Sequence, residues 1–252
     1  MLKYSLCLEP IFTDVSFYDR IAMAKDLGFD AIELWDPFQY DRKRIALEAQ
    51  KADLPVVACT LKGSQVNGLN APCEVVLQNV MDSIECGKEL GCMRFICLSG
   101  NVETRVDSQK NILIENLKRV DELLEKENAS LVLEPLNSLV DHKGYYLDSA
   151  CVGFEIIKCV NSSRIKLLYD VYHMQIMEGN IIQNMTRNVS NIGHIHMAGV
   201  PGRHELQLGE TDYRNVIKAV DQAGYDGYFG LEYWPSYEHR KSAEDVLKYL
   251  KV

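Results

Sequence analysis

The chain has 252 residues, of which 47% are hydrophobic and 25% charged, and carries a formal net charge of −9. That length is close to the ~250 residues typical of a (β/α)8 barrel, and the composition leaves ample material for a core. The acidic balance argues against duplex DNA or RNA as partner, because backbone binding needs phosphate neutralisation by Lys and Arg, and it says nothing against a small substrate.

The first residues, Met1 to Ser5, run straight into a strand-like pattern and leave no room for a signal peptide. No apolar run approaches the ~20 residues that a membrane span needs, so the expectation is a cytoplasmic protein with no membrane partner. The eight cysteines (7, 59, 73, 86, 92, 97, 151 and 159) are scattered, without a C-x-x-C pair, and several lie in apolar segments. They read as reduced, mostly buried thiols.

In chain order, the pattern predicts a strand over Lys3–Leu8, a helix over Phe17–Leu27, and strands over Ala31–Leu34 and Val56–Cys59. A helix over Glu74–Leu90, a strand over Arg94–Leu98, a helix over Ile112–Glu127 and a strand over Leu131–Glu134 follow. A helix over Ala150–Val160 precedes strands over Ile165–Asp170 and Ile192–His196, and a helix over Tyr213–Ala223 leads to a last strand over Tyr228–Glu232. In the helix Ile112–Glu127, Leu113, Leu117, Val120 and Leu124 share one face. Gly28, Gly91 and Gly224 stand where helices must stop before the next strand. The strands are apolar on both faces, as parallel strands covered by helices must be. Eight β/α units without a linker predict an α/β fold, a single-domain (β/α)8 TIM barrel over residues 1–252. The rival, a doubly wound open sheet, lacks the G-x-G-x-x-G turn after the first strand, which runs Cys7-Leu8-Glu9-Pro10.

Barrel chemistry sits at the C-terminal ends of strands. Those ends are occupied by Glu33, Glu134, Asp170, His196 and Glu232, each after an apolar run. One such carboxylate alone is ordinarily a helix cap or a loop salt bridge. Four polar groups ending strands five to eight point instead to a shared site. Three carboxylates gathered without a counter-charge would repel, and one divalent metal ion removes that problem. Oxygen-rich ligation with one nitrogen suits Mn2+, Mg2+ or Co2+, with Zn2+ also open. Glu33 is left between substrate contact and pairing with a basic neighbour, and Glu9 is a rim residue. His194 and His196 share a strand face, with His194 one layer deeper and read as a hydrogen-bonded core histidine, while His173 lies near the mouth. His142, His204 and His239 fall in loops or helix starts. Trp35 and Trp234 are open between pocket wall and core or interface, and the tyrosines 225, 228, 233 and 237 between the site and a subunit contact.

At these residues the chain resembles the xylose isomerase-like barrel superfamily of sugar isomerases and epimerases, and within it most nearly the hydroxypyruvate isomerases. The resemblance is carried by Leu98-Ser99-Gly100-Asn101, Leu133-Glu134-Pro135-Leu136-Asn137, Asp170-Val171-Tyr172-His173-Met174-Gln175 and Glu178-Gly179-Asn180. It continues through Gly193-His194-Ile195-His196, Val200-Pro201-Gly202-Arg203-His204-Glu205, Gly209-Glu210, Ala223-Gly224-Tyr225-Asp226-Gly227 and Gly230-Leu231-Glu232-Tyr233. It implies Glu134, Asp170, His196 and Glu232 as ligands of one divalent metal. It also implies Glu134 and Glu232 as the catalytic proton donor and acceptor, and His173 and Arg203 as substrate contacts. The implied activity is a metal-dependent isomerisation of a small hydroxy-carbonyl compound through an enediolate, and the implied partners are that small molecule and a homo-oligomer.

Two features depart from the hydroxypyruvate isomerase pattern. That branch carries Gln where this chain has His196, whereas the sugar epimerase branch carries His. Leu206-Gln207-Leu208, between Glu205 and Gly209, replaces an expected Pro-Gly. A ketose 3-epimerase or a keto-inositol isomerase or epimerase is therefore the leading alternative, with a non-catalytic sugar-sensing barrel below it. A multi-zinc DNA-repair endonuclease on a related barrel is disfavoured by only six histidines and the −9 charge.

Overall fold

The computed structural model describes residues 2–106 and 108–251; Met1, Asp107 and Val252 lie outside the described residues. Eight parallel strands close into a barrel in chain order: β1 (Lys3–Cys7), β2 (Ala31–Leu34), β3 (Val56–Thr60), β4 (Arg94–Leu98), β5 (Ser130–Glu134), β6 (Ile165–Asp170), β7 (Ile192–Met197) and β8 (Tyr228–Leu231). The ring is sealed by β1 against β8, with Tyr4 opposite Phe229 and Leu6 opposite Leu231. The expected TIM barrel is the observed fold, and no strand boundary moves by more than a residue.

The barrel is jacketed by α1 (Asp19–Leu27), α2 (Arg42–Ala52), α3 (Cys73–Leu90), α4 (Ser108–Glu127), α5 (Ala150–Val160), α6 (Val171–Met177), α7 (Ile181–Arg187), α8 (Tyr213–Gln222) and α9 (His239–Leu250). Helix α4 buries Leu113, Leu117, Val120 and Leu124, the face read from the sequence. α1 and α3 end on Gly28 and Gly91, both left-handed (φ 88° and 70°), a conformation that costs glycine no Cβ clash.

Alternation along the strands sorts the residues into two cores. Outward-facing residues such as Leu6, Ile32, Phe95, Leu131, Leu167 and Ile195 join the large cluster beneath the helices. Inside the barrel, Ala58, Ile96, Val132 and Leu168 form a separate small cluster. Two residues further along the same strand faces stand Thr60, Leu98, Glu134 and Asp170, so this apolar plug is the floor on which the polar mouth rests. All eight cysteines are free thiols, with Cys151 and Cys159 exposed. Among the described residues no helix is long and apolar enough to cross a membrane.

Candidate active site

Each polar group at the mouth is placed by the strand that carries it. Glu134 closes β5, and its backbone carbonyl accepts from the Tyr145 hydroxyl (2.8 Å), which in turn accepts from the Ser99 N–H beyond β4 (2.8 Å). Asp170 is at once the last residue of β6 and the N-cap of α6, accepting from the His173 N–H. His196 lies on β7, and Glu232 follows β8 directly, its N–H donating to Met197 across the strands (3.2 Å). Glu205 ties the β7 loop to the segment after β8 by accepting from Ser236 and Ser242.

The structure brings Glu134, Asp170, His196 and Glu232 together, all buried, with one potential ligand atom from each within 4.8 Å of the others. His196 Nδ1 stands 3.6 Å from Glu134 Oε1 and 3.5 Å from Glu232 Oε2. Both Nδ1 and Glu134 Oε1 are buried without a hydrogen-bond partner. Unsatisfied buried polar atoms are rare and costly, and a divalent cation at their common focus would satisfy both. The donor set of three carboxylates and one imidazole fits such an ion.

The electrostatics agree with that fit. Burial, with the neighbouring carboxylates Glu232 and Asp170, pushes the Glu134 carboxyl up to about 7. Burial pushes Asp170 up to about 6. Burial acts on Glu232 too, but Arg203 and His196 outweigh it and hold that carboxyl well below its usual range. Burial would lower the His196 imidazole, yet Glu232 and Glu33 win and raise it well above its ordinary value. A cation taken up among these carboxylates would displace the extra proton.

Around this cluster lies a cavity of about 410 Å3. Trp35, Trp234, Ile96, Leu98 and Leu136 form its apolar wall, and Asp36, Gln39, Thr60, Gln65 and His142 add polar groups. Trp35 and Trp234 face each other with ring centroids 5.5 Å apart, and the Trp35 Nε1–H donates to Glu232 Oε1. Arg203, in the left-handed region at φ 58°, lies between the rings of Tyr172 and Trp234 (5.3 and 4.9 Å) and donates to Glu232 Oε2. It is the one Arg or Lys lining the cavity among the described residues.

Other residues singled out in the sequence stand differently. His173 is fully buried and is not part of the cavity wall; its Nδ1 faces the Asn137 amide (2.7 Å), and its Nε2 lies 3.5 Å from Asp170 Oδ2. His142, read as a loop residue, lines the wall edge-on to His173 (5.3 Å). His194 is buried one layer down. Glu33 is not at the substrate surface: it is buried at its tip, accepting from Ser5, His194 and His196. Glu9 stays off the wall and clamps the exit of β2 by accepting from the N–H groups of Trp35 (2.8 Å) and Asp36 (3.2 Å). Tyr225, Tyr228, Tyr233 and Tyr237 line no part of this cavity. Gln39 and Gln65 carried no signal in the sequence, because one ends a three-residue 3-10 turn and the other lies in a loop, segments whose spacing follows no period.

An acidic strand-end cluster with an imidazole, opening into a cavity at the C-terminal face, defines a TIM-barrel enzyme. The family model for the xylose isomerase-like TIM barrel matches residues 21–252. Hydroxypyruvate isomerase of Escherichia coli (strain K12) is 30% identical over 244 residues, covering 93% of this chain and 94% of that protein. 2-oxo-tetronate isomerase of Cupriavidus necator is 29% identical with the same coverage. The crystal structure of AP endonuclease, family 2 from Brucella melitensis superposes with a TM-score of 0.92 at 24% identity over 99% of both chains, a likeness of fold. The chain belongs to the xylose isomerase-like TIM barrel family. It is an isomerase.

Proposed function

We propose that this enzyme interconverts small hydroxy-carbonyl compounds of the hydroxypyruvate type by moving a proton between adjacent carbons, with Glu134 and Glu232 as the catalytic pair. Glu134, Asp170, His196 and Glu232 would hold one divalent ion, with Mn2+, Mg2+ or Co2+ preferred over Zn2+. When bound, that ion supplies Lewis acidity to the substrate oxygens. The remaining chemistry belongs to the chain.

The observation that carries this reading is the contrast between the two glutamates. Glu232 is held ionised by donors on both oxygens, from Trp35 and Arg203, and is the proton acceptor. Glu134, across His196 Nδ1 from Glu232 and with no donor on its Oε1, is the group that gives a proton back. For hydroxypyruvate, Glu232 takes a C3 proton to give the enediolate, Glu134 delivers one to C2, and the proton of the C3 hydroxyl passes to the C2 oxygen, which gives tartronate semialdehyde. Arg203 is the cation placed for the substrate carboxylate. The names of the relatives, one acting on hydroxypyruvate and one on 2-oxo-tetronate, support a small oxo acid.

A second reading, epimerisation of a larger polyhydroxy ketone, is favoured by His196 in place of Gln and by the amide and hydroxyl groups of Gln39, Gln65 and Thr60 in a 410 Å3 cavity. Here the proton returns to the opposite face of the same carbon. One experiment separates the two. Enzyme stripped with EDTA and restored with Mn2+, Mg2+, Co2+ or Zn2+ is incubated in D2O with hydroxypyruvate, tartronate semialdehyde and a panel of ketoses, followed by NMR. Metal-dependent deuterium uptake into hydroxypyruvate supports the first reading, and uptake only into a ketose supports the second. Absence of exchange throughout sinks both and favours a sugar-sensing barrel.

A further inference from the structure

Beneath the mouth lies a buried polar layer that the proton chemistry does not use. Glu33 Oε2 meets His196 Nε2 at 2.8 Å, and Glu33 Oε1 meets His194 Nε2 at 2.8 Å while also accepting from the Ser5 hydroxyl. Glu33, His194, His196 and Ser5 are all at most 1% exposed. The opposite nitrogen of His196, Nδ1, points up between Glu134 and Glu232 without a partner. Room for the layer comes from Gly230 on β8. A Cβ there would lie 2.5 Å from Glu33 Oε1, 2.7 Å from His196 Cδ2 and 3.1 Å from His194 Nε2.

We propose that Glu33 is the positioning residue of the metal centre: it takes the Nε2–H of His196, fixes the ring, and leaves Nδ1 bare to serve as ligand. A metal-binding imidazole whose second nitrogen donates to a carboxylate is set in tautomer and orientation and gains basicity. The proposal rests on His196 being a metal ligand.

The chemistry of the layer dictates a sharp test. In Glu33→Gln the amide replaces one oxygen by an NH2 group. Ser5 and His194 both donate to the Oε1 position, so the amide oxygen is drawn there and the NH2 falls opposite His196 Nε2. That nitrogen must then accept, and the ring proton moves to Nδ1, the atom that should face the metal. Mn2+ binding to the apoprotein, followed by EPR of free Mn2+, is expected to weaken ~10–100-fold. Far-UV circular dichroism of the same apoprotein should stay unchanged. Adding Ser5→Ala removes one of the two pins, lets the amide turn its oxygen to His196, and should recover part of the affinity. A merely structural Glu33 gives no such rescue. Equal Mn2+ affinity in wild type and Glu33→Gln overturns the proposal, as does a folded double variant no better than the single one. If Glu33→Gln does not fold, Gly230→Ala decides: its Cβ crowds the carboxylate and both imidazoles and breaks their register with every polar group retained, and undiminished Mn2+ affinity overturns the proposal. Failure of the wild-type protein itself to bind Mn2+ would instead strike the metal-site reading on which this one rests.

Discussion

The two halves of the barrel make different contributions to one mouth. Strands β5 to β8 end in Glu134, Asp170, His196 and Glu232, the groups with the potential to transfer protons or hold a cation. Strands β1 to β4 and their loops supply shape: Trp35, Thr60, Ile96 and Leu98 on the wall, with Gln39 and Gln65 at its polar edge. Glu33, which β2 sends into the barrel, stays beneath the surface and grips the second half through His194 and His196. Reactivity and fit are thus separable in this fold, and substitutions in the two halves should fail in different ways.

The largest effect is expected in the second half. Glu232→Gln removes the proposed proton acceptor while conserving shape, and kcat should fall roughly 10^3-fold, within the usual contribution of general base catalysis. Circular dichroism and the melting profile should be near wild type, and full activity in this variant would end the assignment. A first-half change that touches the pair comes next. Trp35→Phe keeps an aromatic ring opposite Trp234 but deletes the donor to Glu232. Loss of a hydrogen bond to a charged group, about 1.5–3 kcal/mol, corresponds to roughly 10–100-fold in kcat/KM. Gln65→Ala, on the wall alone, should raise KM a few-fold and leave kcat alone; a fall in kcat instead would erase the division between the halves.

The last effect is on stability. Glu9 is half-buried, and burial pushes its carboxyl up to about 7 against an ordinary 4.5. The folded protein therefore binds more protons than the unfolded chain between those values, so stability falls as pH rises from 4.5 to 7. In Glu9→Gln this contribution disappears. Urea titrations at the two ends of that window should show a loss about 1–2 kcal/mol smaller than in wild type, discounted for partial exposure.

How much of this was legible beforehand follows from what periodicity records. The strands were readable because each is a short apolar run, and the register follows from the closed ring. The strand-end quartet of Glu134, Asp170, His196 and Glu232 was readable because those residues end strands, where chain position maps onto place in the fold. Helices α2, α6, α7 and α9 left a weaker mark. α2 (RKRIALEAQKA) buries Ile45 and Ala49 alone, and α6 begins on the very residue after β6, with Asp170 serving both elements. The burial of His173, the exposure of His142 to the cavity and the roles of Gln39 and Gln65 depend on loop paths, which no repeat in the sequence encodes. Glu33 was visible as a strand-end acid. Its partner was not, because His194 and His196 reach it from β7 across the barrel interior, a contact spanning more than 160 residues of chain.

The division between strand-borne and loop-borne residues also bears on how such a catalyst diversifies. Glu134, Asp170 and His196 lie within strands held by ladder hydrogen bonds on both sides, and Glu232 is fixed one residue beyond β8. Gln65 and His142 lie in connecting segments, which tolerate insertion and exchange far better than the ladder does. Descendants of this barrel are therefore free to trade one substrate for another by rewriting a few turns, while inheriting the same strand-end carboxylates and imidazole unchanged.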